Sequence, residues 1–218
     1  TASTLGADGA KSLTATVTDI AGNSATSSAL SVAVDTAAPT VTLSLTAGSD
    51  SGSSSSDRNT SDDTPTIRVS LTGSGGAAPV AGDVVQLYSG STLVGTTTLS
   101  GADITAGYVD ITASTLGADG AKSLTATVTD IAGNSATSSA LAVTVDTTAP
   151  TVTLALTTGS DSGSSSSDRN TSDDTPTIRV SLTGSGGAAP VAGHVVQLFS
   201  GASLVGTATL SGADITAG

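Results

Sequence analysis

The chain repeats itself. Residues 1–30 and 112–141 share the sequence TASTLGADGAKSLTATVTDIAGNSATSSAL. Residues 41–82 return at 152–193, with Ala155 and Thr158 standing where Ser44 and Ala47 stand. Position 112 answers position 1, so the period is 111 residues. Whatever this chain folds into must be completed by a unit of that length and must tolerate a copy on either side. The linkers Asp35–Pro39 and Asp146–Pro150 punctuate the repeat, because Pro breaks strand pairing. They divide the chain into 1–37, the last third of a preceding unit, 38–148, one complete unit, and 149–218, the first two-thirds of a following one. The two partial pieces together lack only the counterpart of Tyr108-Val109-Asp110-Ile111. With no Met at its start, the chain is expected to be a window on something longer.

Within one unit the strand signals recur at regular spacing. Val41, Leu43 and Leu45 alternate with Thr and Ser, and Ile67, Val69 and Leu71 with Arg, Ser and Thr. Val84 to Tyr88, Ser91 to Leu99 and Tyr108 to Thr112 follow. Leu124-Ala126-Val128 and Leu141-Val143-Val145 close the series. Turns fall between them at Ser89-Gly90, Asp119-Gly120 and Ala132-Gly133-Asn134. All 18 acidic residues are Asp, and Ser with Thr makes up about a third of the chain, a composition for strands and turns rather than helices. Seven short strands without helices predict an all-β fold, a tandem array of immunoglobulin-like Greek-key sandwiches. The core is expected to be thin and built of Ala, Val and Leu.

The same composition removes several kinds of chemistry. No Cys means no disulfide framework, no thiolate metal site and no cysteine nucleophile. His194 is the only histidine, which rules out polyhistidine sites and argues against histidine-based catalysis. It occupies the position that Asp83 holds one period earlier, so no catalytic role is expected of it. A net charge of −12 disfavours a nucleic-acid partner. No apolar run reaches the length of a spanning helix, so no membrane insertion is expected. The Gly73-Ser74-Gly75-Gly76 run is read as a loop, because no helix or Lys follows it as a phosphate loop requires. No constellation supports an enzyme.

Two sets of motifs carry a family likeness. One runs from Asp146-Thr147-Thr148-Ala149-Pro150 through Ser160-Asp161-Ser162-Gly163 and Asp168 to Thr175-Pro176-Thr177. The other is Leu124-Thr125-Ala126-Thr127-Val128-Thr129-Asp130 followed by Ala132-Gly133-Asn134. Together they resemble the bacterial Ig-like tandem repeats of giant calcium-dependent surface adhesins of the RTX and Bap types. The likeness spans the whole repeat. It implies an extracellular, calcium-binding stalk unit on the bacterial cell surface, exported by type I secretion. The glycine-rich nonapeptides that accompany such proteins do not occur here.

Strand polarity predicts where the acids gather. If the strands run up and down, the Gly48–Asp63 loop, the Asp119-Gly120 turn and the strand end at Asp146 share the C-terminal pole. Asp103 and the Asp130–Asn134 turn belong to the other pole. Asp50, Asp57, Asp62, Asp63, Asp119 and Asp146 are therefore candidates to converge beside the linker. Crowded carboxylates repel, and calcium relieves this by taking six to eight oxygen ligands. Asp57, Asn59, Ser61 and Asp63 space their oxygens by two, as calcium loops often do, and Asp168, Asn170, Ser172 and Asp174 repeat the spacing beside Asp161 and Asp173. This is not an EF-hand: Arg68 stands where the bidentate Glu belongs. The alternative is a solvated loop whose Asp residues cap turns.

The expected function is a structural extender whose junctions calcium stiffens, with neighbouring repeats of the same or another copy as partners. A second expectation concerns assembly. Residues 149–218 of one chain and 1–37 of the next could complete a sandwich, giving a head-to-tail homopolymer with a joint site from Asp161, Asp168 and Asp174 on one side and Asp8 and Asp35 on the other. A third reading, a glycan- or protein-binding adhesin module, has only Tyr88, Tyr108 and Phe199 to build an aromatic platform.

Overall fold

The computed structural model describes residues 3–52, 54–73, 77–184 and 189–217. Four short strands come first, β1 (Gly9–Leu13), β2 (Thr16–Thr18), β3 (Ser24–Thr26) and β4 (Leu30–Val34), with β1 paired to β4 and β2 to β3. The central unit contributes β5 (Thr40–Leu45), β6 (Asn59–Thr60), β7 (Thr66–Thr72), β8 (Val84–Ser89) and β9 (Thr92–Thr98). It continues with a short helix α1 (Gly101–Ala106), then β10 (Tyr108–Thr112), β11 (Gly120–Thr129), β12 (Ser135–Thr137) and β13 (Leu141–Val145). After it come the hairpins β14 (Thr151–Leu156) with β15 (Ile178–Thr183) and β16 (Val195–Ser200) with β17 (Ser203–Thr209), and a second short helix α2 (Gly212–Ala217). Among the described residues no helix is long and apolar enough to cross a membrane.

Side chains that alternate along a strand point to opposite faces, and this decides how the central unit closes. In β7, Ile67 and Val69 are buried while Arg68 between them faces outward. The antiparallel registers set Val69 opposite Leu43 on β5 and opposite Val109 on β10, making one sheet in the order β10-β7-β5. The second sheet runs β6-β13-β11-β8-β9, with β12 on part of the free edge of β11. Leu124, Ala126 and Val128 of β11 and Val85 and Leu87 of β8 face the first sheet across a shared core. Each fully buried Val or Leu contributes roughly 1.5–3 kcal/mol, so a core of small aliphatic side chains suffices when it is closed on both faces.

The chain crosses repeatedly between the two sheets, which is the immunoglobulin-like sandwich expected of the sequence. The layers approach closely at Gly95: a Cβ there would lie 2.6 Å from Ile111 Cγ2, and the Ser114 N–H donates to the Val94 carbonyl at 2.7 Å. All seven expected strands of the central unit are present, and β6 and β12 add to them. The expectation of a helix-free unit is corrected by α1. Ser100 and Asp103 form a reciprocal capping box at its start, and Gly107 ends it at φ 76°. The Gly73–Gly76 run lies, from residue 74 to 76, outside the described residues.

Candidate functional site

The loop between β5 and β7 is folded by its own short side chains. The Ser49 hydroxyl donates to Asp62 Oδ2 at 3.0 Å and accepts from the Thr66 N–H at 2.9 Å, while the Thr60 hydroxyl donates to the Ser49 carbonyl. These bonds draw Asp50 inside, where it is 5 % exposed. Its Oδ2 accepts from the Arg58 N–H at 3.2 Å, and Arg58 sits at φ 63°, a left-handed conformation uncommon outside Gly. Its Oδ1 is buried without a hydrogen-bond partner. Beside it, Asp57 Oδ1 accepts from the Asn59 N–H at 3.0 Å.

One period later the arrangement recurs. Asp161 is buried, its Oδ2 accepts from the Arg169 N–H at 3.3 Å, and its Oδ1 again has no partner. Arg169 is at φ 62°. The Asn170 N–H, then the Asn170 side chain, hold the Asp168 carboxyl below the usual carboxylate range. Burying a carboxylate oxygen with no donor is costly, and both copies of the loop do so.

The other candidates are distributed. Asp57, Asn59, Asp119 and Asp146 line one side of an open cleft whose far side includes Val191 and His194 of the following segment. Asp119 also anchors the linker: it accepts from the Thr147 N–H at 2.9 Å and from the Thr147 and Thr148 hydroxyls, both at 2.8 Å. Those three donors, with a smaller contribution from Lys122, hold its carboxyl below the usual range. Asp146 Oδ1 accepts from the Thr148 N–H at 3.3 Å. In the preceding unit Asp8 accepts from the Thr36 hydroxyl at 2.9 Å, and Asp35 Oδ1 from the Ala37 N–H at 3.2 Å.

Asp62 and Asp63 turn elsewhere. Asp62 Oδ1 accepts from the Thr64 N–H and hydroxyl, and Asp63 Oδ2 from the Thr115 hydroxyl at 2.9 Å. Asp173 repeats the first pattern with Thr175 and Ser160, and Asp174 lines a separate cleft with Pro176 and Phe199. Among the described residues no three Asp or His side chains come close enough to share one ion. Asp57, Asp119 and Asp146 share one cleft, while hydroxyl partners engage Asp62 and Asp63 outside it.

Two contacts emerge that the sequence did not announce. Asp83 is 1 % exposed and closes the turn before β8 by accepting from the Val80 N–H at 2.8 Å, its other oxygen buried and unpartnered. Its counterpart His194 turns Nδ1 toward the Val191 N–H at 3.5 Å. Asn134 ends the Asp130 turn, where its N–H and side-chain amide both donate to Asp130 at 2.8 Å. The same amide donates to the Asp35 carbonyl at 3.2 Å, a bond across 99 residues that no local pattern announces.

The family model of the bacterial Ig-like domain matches residues 37–147. A solved structure, described as the crystal structure of a tetra-tandem repeat in the extending region of a large adhesion protein, is similar at 20 % identity. The match covers 94 % of this chain and 46 % of that one, with a TM-score of 0.39, so the chain spans about half the length of that structure. No curated protein matches.

Proposed function

The chain belongs to the bacterial Ig-like domain family, and from that premise we propose that it is a calcium-rigidified extender, a stalk repeat of a large bacterial adhesin or biofilm fibre exposed at the cell surface. The observation that carries the calcium part is the unpartnered buried oxygen of Asp50, repeated at Asp161. Asp50 with Asp57, and Asp161 with Asp168, would hold the ion. Calcium favours carboxylate oxygen, and the contacts of Arg58 and Arg169 to Asp50 and Asp161 are made through backbone N–H groups. An ion that binds only the folded loop stabilises the unit through binding linkage. Thermal unfolding with calcium and with a chelator tests this. A lower melting temperature on chelation is expected, and identical curves would sink the proposal.

A further inference from the structure

Asp35 and Thr36 are adjacent in sequence but are held by different units. The Asp35 carbonyl accepts from Asn134 Nδ2 at 3.2 Å, on the central unit, while the Thr36 hydroxyl donates to Asp8 Oδ1 at 2.9 Å, on the preceding one. Pro39, a few residues on, is buried in the central unit with its φ fixed by its ring. A linker gives freedom through residues that touch neither side. Between these two anchors there are none.

We infer that Asn134 is a positioning residue that latches its own unit onto the linker before it, so that the junction is fixed by hydrogen bonds as well as by any ion at the acidic pole. The inference rests on the extender reading and names what sets the angle between repeats. Two bonds from Asn134 to Asp130 aim the amide at the linker, so the turn serves as a mount. Among the described residues, this is the only side-chain hydrogen bond from the body of the central unit to residues 3–37.

The linker grip differs from junction to junction. Asp8 receives the Thr36 hydroxyl alone among side-chain donors, whereas Asp119 receives the Thr147 N–H and the hydroxyls of Thr147 and Thr148. Thr148 stands where the earlier linker has Ala37, which has no hydroxyl to offer. A single substitution between otherwise similar linkers thus adds a bond to the clamp.

The preceding unit supplies an internal control. Its Asp19–Asn23 turn makes the same two bonds, at 2.8 and 2.9 Å, and among the described residues the Asn23 amide donates only to Asp19. Because the chain has no Cys, Ser12→Cys and Ser91→Cys place two unique spin labels on exposed sites of neighbouring units. Pulsed electron–electron double resonance then reads the distance distribution between them. Asn134→Ala is expected to broaden it, Thr36→Val to do the same from the other anchor, and Asn23→Ala to leave it unchanged. If Asn134→Ala matches the parent, or Asn23→Ala broadens it equally, the latch is overturned; should Asn134→Ala fail to fold, an unchanged distribution in Thr36→Val overturns it. Each variant is measured with calcium and with chelator. Broadening by Asn134→Ala but none on chelation would end the calcium reading and keep the latch, and the reverse pattern would do the opposite.

Discussion

Arg68 grips Asp110 through two parallel hydrogen bonds, Nε to Oδ1 and Nη2 to Oδ2, each 2.8 Å. The pair lies across the β7–β10 register on the outer face of the first sheet, and the guanidinium stacks 3.7 Å above the Tyr108 ring. Both side chains are more than a third exposed, so solvent screens the attraction. Asp110→Asn is therefore expected to cost no more than about 1 kcal/mol in urea unfolding, despite the fork geometry. A loss several times larger would mean that the pair fixes the sheet edge instead of decorating it.

Asp119 makes the linker sensitive to acid. The Thr147 N–H and the Thr147 and Thr148 hydroxyls favour its charged form and depress its pKa in the folded state. The stability tied to that depression is present above the pKa of the unfolded chain and disappears as pH falls through the folded value. Protection of the Thr147 amide from hydrogen exchange, corrected for intrinsic rates, should hold near neutral pH and decline below the ordinary carboxylate range. In Asp119→Asn that decline should vanish. Protection in the parent that ignores pH would remove Asp119 as the anchor.

At Gly95 a methyl group would lie 2.6 Å from Ile111 Cγ2. Gly95→Ala should therefore overpack the sandwich at a cost of about 1–3 kcal/mol. A loss well below that in denaturant unfolding would show that the close approach of β9 and β10 is not what requires Gly.

Asp50→Asn separates an ion ligand from a turn-forming side chain. In calcium the substitution should lower the melting temperature, because it removes a charged ligand. In chelator it should be neutral or raise it, because it removes a buried charge. A shift of the same sign and size in both media would show that Asp50 holds no ion.

The period of 111 and the strand positions were legible because each depends on a local or repeated pattern. Ile67 and Val69 face inward by alternation alone, and the direction of β5 then sends the loop after it to the C-terminal pole. Helix α1 was legible in principle, since Ser100 and Asp103 stand at capping-box spacing, but a composition poor in helix formers hid it.

Side-chain partners were another matter. That Asp63 answers Thr115 and that Asn134 reaches Asp35 depends on bonds spanning 52 and 99 residues. Nothing in an Asp-rich loop says which carboxylate will meet a hydroxyl and which will be buried without one. The repeated sequence settled what kind of unit this is, because strand periodicity is written into neighbouring residues. Only the closed tertiary structure decided that Asp50 and Asp161 keep an unpartnered oxygen and that the linker is held from both sides. Those contacts come into being only when loops far apart in the chain are brought to the same pole.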